Sequence, residues 1–146
     1  MDFTRPGFLQ PGAVNYLAIV VAAVVAWLIG AVWYGVLFCR PWTAANNIVV
    51  DPGKGRRMPA GLLILTFVAL LLMSWILAGI LFHLGPGKLT VKNGIISGIW
   101  MWLGFVITTM AVNNGFAGRK PVLLAIDGGH WLVVLVAIGA VLGAFG

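Results

Sequence analysis

The sequence predicts an all-α integral membrane fold, a four-transmembrane-helix bundle with short loops, and three observations predict it. Of its 146 residues, 62% are hydrophobic and only 8% are charged. A soluble domain of this size carries about a quarter of its residues as charged side chains. The mean hydropathy is +1.08, so the chain cannot clothe a globular surface and must be solvated by lipid. Four apolar runs follow one another, at about 14–38, 60–84, 94–116 and 122–145. Each reaches the roughly 20 residues that a helix needs to span the hydrocarbon. None alternates in polarity, and all exceed the approximately 10 residues of a membrane strand. Residues 1–146 therefore form a single transmembrane domain.

The first run is longer than the apolar core of a signal peptide, and only Arg5 precedes it as a positive charge. A retained helix is expected rather than a cleaved leader. Ala18, Ala22, Ala26 and Gly30 recur every four residues along it, which puts them on one face. In lipid, helices associate by close approach of small residues, not by hydrophobic collapse. Gly94 with Gly98 in the third run and Gly139 with Gly143 in the fourth make two further G-x-x-x-G pairs. These faces are expected to pack inside the bundle in preference to an oligomer contact. In the second and third runs, Thr66, Ser74, Ser97, Thr108 and Thr109 are expected to bond their own helix backbone. Asn15, His83, Lys92 and Asn93 belong to the rim opposite the main basic loops.

The fourth run raises the chemical question, because Asp127 and His130 lie three residues apart within it and so share a face. Asp127 comes six residues after Pro121, about 9 Å along a helix. Asn113 and Asn114 reach a similar depth at the end of the third helix, and Tyr34 does so at the end of the first. The expected polar intramembrane cluster is thus Asp127, His130, Asn113, Asn114 and Tyr34. Ionisable groups inside a membrane mark proton relays, ion sites or ligand handles. Equally, a polar cluster can glue helices together. Gly128 and Gly129 weaken the helix there or let a neighbour come close.

Of the aromatic residues, Trp33, Tyr34 and Trp42 near the basic side, with Tyr16 opposite, suit an interfacial belt. Trp27, Trp75, Trp100 and Trp102 lie deeper; their indole N–H groups want acceptors, and they either pack or line a pigment, quinone or lipid pocket.

The formal charge of +6 is unevenly spread. Arg40, Lys54, Arg56, Arg57, Arg119 and Lys120 fall on one side; Arg5, Lys88 and Lys92 fall on the other. The positive-inside rule then places both termini outside the cytoplasm, and the basic loops face anionic headgroups. Nucleic acid is not an expected partner, since "GKGRR" is short and has no interleaved aromatic residues. The single Cys39 rules out an intrachain disulfide. No metal site is expected, because His83 and His130 lie on opposite rims. No cofactor is implied, "GPGK" is too short for a P-loop, and no catalytic triad is readable at matching depth.

The stretches "NYLAIVVAAVVAWLIGAVWYGVLF" with "RPW", "WMWLGFVITTMAVNNGF" and "AIDGGHWLVVLVAIGAVLGAFG" resemble the small bacterial four-helix integral membrane proteins of domain-of-unknown-function family seventeen sixty-one. The resemblance spans nearly the whole chain. It implies the bundle and a bacterial inner-membrane location, and it names no reaction, substrate or cofactor. It also implies an amide more often than an acid at the position of Asp127, making that carboxylate a departure. The leading functional expectation is a homo-oligomer that handles a small solute, ion or lipid at a helix or subunit interface. The alternatives are a non-catalytic accessory or lipid-binding subunit of a larger membrane complex, and a pigment-binding protein or membrane enzyme.

Overall fold

A computed structural model of the chain describes residues 14–49 and 58–146. Helix α1 spans Tyr16–Val32 and runs on through a π-helical turn, Trp33–Leu37. A short helix, α2, covers Cys39–Ala45, and α3 covers Ala60–His83. Helix α4, Val91–Met101, continues through a second π-helical turn, Trp102–Val106, into α5, Ile107–Phe116. Helix α6 spans Pro121–Ala144. Tyr16–Leu37, Ala60–His83, Val91–Phe116 and Pro121–Ala144 are four helices long and apolar enough to cross a membrane. The protein is an all-α bundle of that kind.

Local sequence accounts for the helix starts. Asn15 has extended backbone, and its side chain accepts the Ala18 N–H at 3.1 Å. Thr90 caps α4 in the same way, accepting from Asn93 at 3.3 Å. Both satisfy an amide that the first helical turn leaves unpaired. Pro121 opens α6, where the missing N–H costs nothing and its fixed φ suits a helix. The turn between α5 and α6 is short because Gly118 takes a positive φ of 61°, a conformation that glycine adopts without a Cβ penalty.

Packing is organised around α6, which touches every other helix of the bundle. In its most apolar window 44% of the residues are buried, against 6% in the third span; α6 is the centre and the third span is the flank. Small residues set the approach of the third and fourth spans. Gly94 and Gly139 meet backbone to backbone, so that a Cβ on either would run into the other's carbonyl. One turn along, Gly98 lies against the Leu135 carbonyl and Gly143 against that of Thr90. On the other flank Ala18, Ala22 and Ala26 are fully buried, in a core with Leu70, Leu77, Leu81, Val134, Ile138 and Leu142. Gly30, the last step of that ladder, faces the His130 ring, and a Cβ there would stand 3.3 Å from Nε2.

Two features differ from the sequence reading. The segment after the first span, taken as loop, contains α2, which packs back onto α6. Both long apolar runs that carry W-x-G, at Trp33 and Trp102, contain a π-helical turn starting at that tryptophan. The basic residues Arg5, Lys54, Arg56 and Arg57 lie outside the described residues.

Candidate functional site

Four aromatic side chains from two spans and α2 converge on three consecutive residues of α6. Tyr34 Oη donates to Asp127 Oδ1 at 2.9 Å, and Trp42 Nε1 donates to the same oxygen at 2.8 Å. On either side of the acid, Trp33 Nε1 donates to the Ile126 carbonyl at 3.1 Å and Trp102 Nε1 to the Gly128 carbonyl at 2.8 Å. A helical carbonyl has a second lone pair to offer after its own helix bond. An indole N–H removed from water needs such an acceptor.

The π-helical turns aim two of these donors. In each, the backbone bond runs from residue i to i−5: Phe38 N–H donates to the Trp33 carbonyl at 2.8 Å, and Ile107 N–H donates to that of Trp102. The wider turn inserts a residue and resets the helix face that follows it. In the first span the chain then turns at Phe38 into α2, and Trp42 returns to Asp127. The turn that follows α2 is fastened at the rim. Arg119 donates to Asn46 Oδ1 at 3.0 Å and to Asn114 Oδ1 at 3.5 Å, and Lys120 donates to Asn47 Oδ1 at 3.3 Å.

The two glycines after Asp127 serve these approaches. A Cβ on Gly128 would press on the Ile107 side chain at 2.6 Å, and one on Gly129 would touch the Trp33 ring at 3.4 Å. A third neighbour, His130, is 6% exposed, and neither ring nitrogen has a partner. Its ring stacks among Tyr34, Trp131 and Trp33, with centroids 4.9, 5.0 and 6.0 Å away. A neutral imidazole carries one donor and one acceptor, and leaving either buried and unpaired costs about 1–3 kcal/mol.

Of the residues singled out in the sequence, the structure brings Tyr34, Asp127 and His130 together. Asp127 and His130 do not bond each other; the Tyr34 side chain contacts both. Asn114 is buried but belongs to the rim, bonded to Arg119, and its Nδ2 has no partner. Asn113 is exposed. Neighbouring residues of a helix point about 100° apart, so only one of this pair can turn inward.

For the tryptophans, sequence reasoning gave depth and a need for acceptors but no partners. Trp33 and Trp42 are not simply belt residues, because both bond the fourth span. Trp102 packs as the sequence allowed, with its indole reaching the Gly128 carbonyl. Trp100 is exposed outward, and Trp27 packs against the core. Two clefts among the described residues, of about 400 and 240 Å³, are lined by other residues. The signal that points to the aromatic clamp is the repeated W-x-G in the first and third spans, together with one intramembrane acid.

Thr66 and Thr108 accept no outside partner and donate to their own helix, at 2.7 and 3.0 Å. Ser74 is fully buried and makes no such bond. Among the described residues, no three His, Cys, Asp or Glu side chains come together to hold a metal ion.

With this geometry in place, comparison with known proteins adds one finding. The profile of the family described as "Protein of unknown function (DUF1761)" matches residues 17–143. The chain belongs to that family. The match takes in the four spans except for Tyr16 and Ala144 at their outer ends, together with α2 and every residue of the cluster just described. No curated protein and no solved structure matches the chain.

Proposed function

We propose that this DUF1761 protein handles a small solute or ion at the cluster of Tyr34, Asp127 and His130, working as a homo-oligomer in a bacterial inner membrane. One observation carries the reading. Asp127 sits in a membrane span with only neutral donors on its carboxylate, beside a buried imidazole whose nitrogens have no partner. Helical glue alone would favour groups that satisfy one another. An intramembrane acid costs about 2.5–3.5 kcal/mol on insertion scales at mid-bilayer, and a passing ion or polar solute supplies a partner for the carboxylate. A chain of this length has little room for an enclosed path, so the path belongs at a helix or subunit interface. The basic rim at Arg40, Arg119 and Lys120 rests against anionic headgroups.

The test is proton-coupled flux in liposomes reconstituted with the purified chain. Flux is expected in the wild type and lost in Asp127→Asn. Undiminished flux in that variant would remove Asp127 from the path.

A second reading, an accessory or lipid-binding subunit of a larger membrane complex, draws on the third span. That span exposes Trp100, Phe105, Val112 and Phe116 along its flank. Native mass spectrometry of gently extracted protein, with collision energy raised stepwise, separates the two. A discrete homo-oligomer supports the first reading, and recovery only with foreign chains supports the second.

A further inference from the structure

The Asp127 carboxylate is used on one side only. Oδ1 takes both hydrogen bonds, from Tyr34 and from Trp42. Oδ2 takes none from the described residues, and unlike the nitrogens of His130 it is not sealed from outside. Among the described residues, two basic side chains at this end of the bundle are otherwise engaged. Arg119 holds Asn46 and Asn114, and Lys120 holds Asn47. The protein thus fixes a carboxylate at the end of a membrane span, orients it with two neutral donors, and, among the described residues, gives its second oxygen no hydrogen bond from a cation.

We propose that Asp127 Oδ2 receives a lipophilic organic ammonium cation, whose hydrocarbon part lies against the aromatic side chains of Tyr34 and Trp42. This rests on the reading of the Asp127 cluster as the solute site and names its substrate class. Three considerations select the class. A hard inorganic cation such as magnesium or calcium takes six or more oxygen ligands. Here the neighbouring carbonyls of Ile126 and Gly128 already accept indole N–H groups, and no cluster of ligating side chains exists among the described residues. An anion is repelled by the carboxylate itself. A neutral solute can donate to the carboxylate, but it brings no countercharge and so cannot make a bond in which both partners are charged. An organic ammonium gives Oδ2 such a bond, and aromatic rings at the site attract its charge by cation–π interaction. Tyr34 and Trp42 stand edge to face, 5.5 Å apart; together they give the site a rigid aromatic wall.

The experiment uses the full chain in nanodiscs of neutral phosphatidylcholine, with benzylammonium as probe and benzyl alcohol as its neutral counterpart. Intrinsic tryptophan fluorescence reports binding. Wild type is expected to show a saturable change with benzylammonium and none that saturates with benzyl alcohol. Asp127→Asn keeps an oxygen for Tyr34 and Trp42 but loses the charge, and its apparent affinity for benzylammonium is expected to fall at least tenfold. Thr66→Ala removes a hydroxyl that bonds only its own helix, in α3 and outside the cluster, and it is expected to keep wild-type affinity. Equal binding by wild type and Asp127→Asn, equal affinity for benzyl alcohol, or no saturable binding at all overturns the ammonium site. Asp127-dependent proton flux without benzylammonium binding also overturns it, while leaving the solute-handling reading of the cluster intact. Asp127-dependent binding without flux in any liposome supports the site and removes transport instead.

Discussion

A single oxygen, Asp127 Oδ1, ties together the end of the first span, α2 and the fourth span. Its worth can be separated from that of its donors. Hydrogen bonds between membrane helices contribute about 0.6–2 kcal/mol, so Tyr34→Phe and Trp42→Phe should each lower unfolding stability in detergent by roughly that amount. Asp127→Leu should cost more than either, about 2–3 kcal/mol, because it leaves two partly buried donors unpaired. Asp127→Asn should cost least of the four. If Asp127→Leu proves as stable as wild type, the clamp contributes nothing to the fold. Gly30 gives a second residue-level test. A methyl there would stand 3.3 Å from His130 Nε2, whereas Gly35 faces open space. Thermal unfolding should show Gly30→Ala destabilised by about 1 kcal/mol through overpacking and Gly35→Ala within about 0.5 kcal/mol of wild type. Sequence depth alone brought Tyr34, Asp127 and His130 to one level, because each residue's distance from its helix end is countable. It did not separate Asn114 from Asn113, since which way a helix faces depends on packing that no spacing in that stretch reveals.

At the scale of elements, the approach of α4 to α6 is set by glycines whose absent side chains are filled by backbone. Gly94→Ala and Gly139→Ala each force a Cβ into a carbonyl of the facing helix. A backbone carbonyl cannot swing aside as a side chain does, so each should destabilise by about 1–3 kcal/mol or more. Gly61→Ala, in the first turn of α3 with nothing near its Cβ, should be neutral or stabilising by up to about 1 kcal/mol. Equal losses at all three positions, measured by thermal unfolding in one detergent, would mean that glycine acts here through flexibility and not through contact. The four-residue spacing made both glycine pairs and the alanine ladder visible in the sequence, because small residues at one helical face have a fixed period. The π-helical turns were not visible. They shift the face by one residue only after Trp33 and Trp102, and what holds them is a bond to another span. Likewise α2 is too short to show a helical period, and its place depends on Trp42 reaching Asp127.

For the whole molecule, the clamp lies at the end of the bundle that carries Arg40, Arg119 and Lys120, and the opposite end carries Lys88 and Lys92. Membrane orientation follows the lysine and arginine content of short loops. The expected arrangement therefore puts α2 and the Asp127 end at the cytoplasmic face, with a cationic solute meeting the carboxylate from that side. Two loop positions report it without changing a charge. In a Cys39→Ser background, Pro86→Cys places a thiol in the turn between α3 and α4, and Ala117→Cys places one in the turn before α6; both sites are exposed. In intact bacterial cells, a membrane-impermeant maleimide should label the Pro86→Cys chain and should reach the Ala117→Cys chain only after permeabilisation. The reverse pattern would put the Asp127 end on the outer face, so that the carboxylate would capture cations from outside. Labelling of both thiols in intact cells would mean the chain inserts in two orientations, as a weak bias of basic residues allows. An antiparallel pair of subunits would then present two Asp127 sites, one at each face of the membrane.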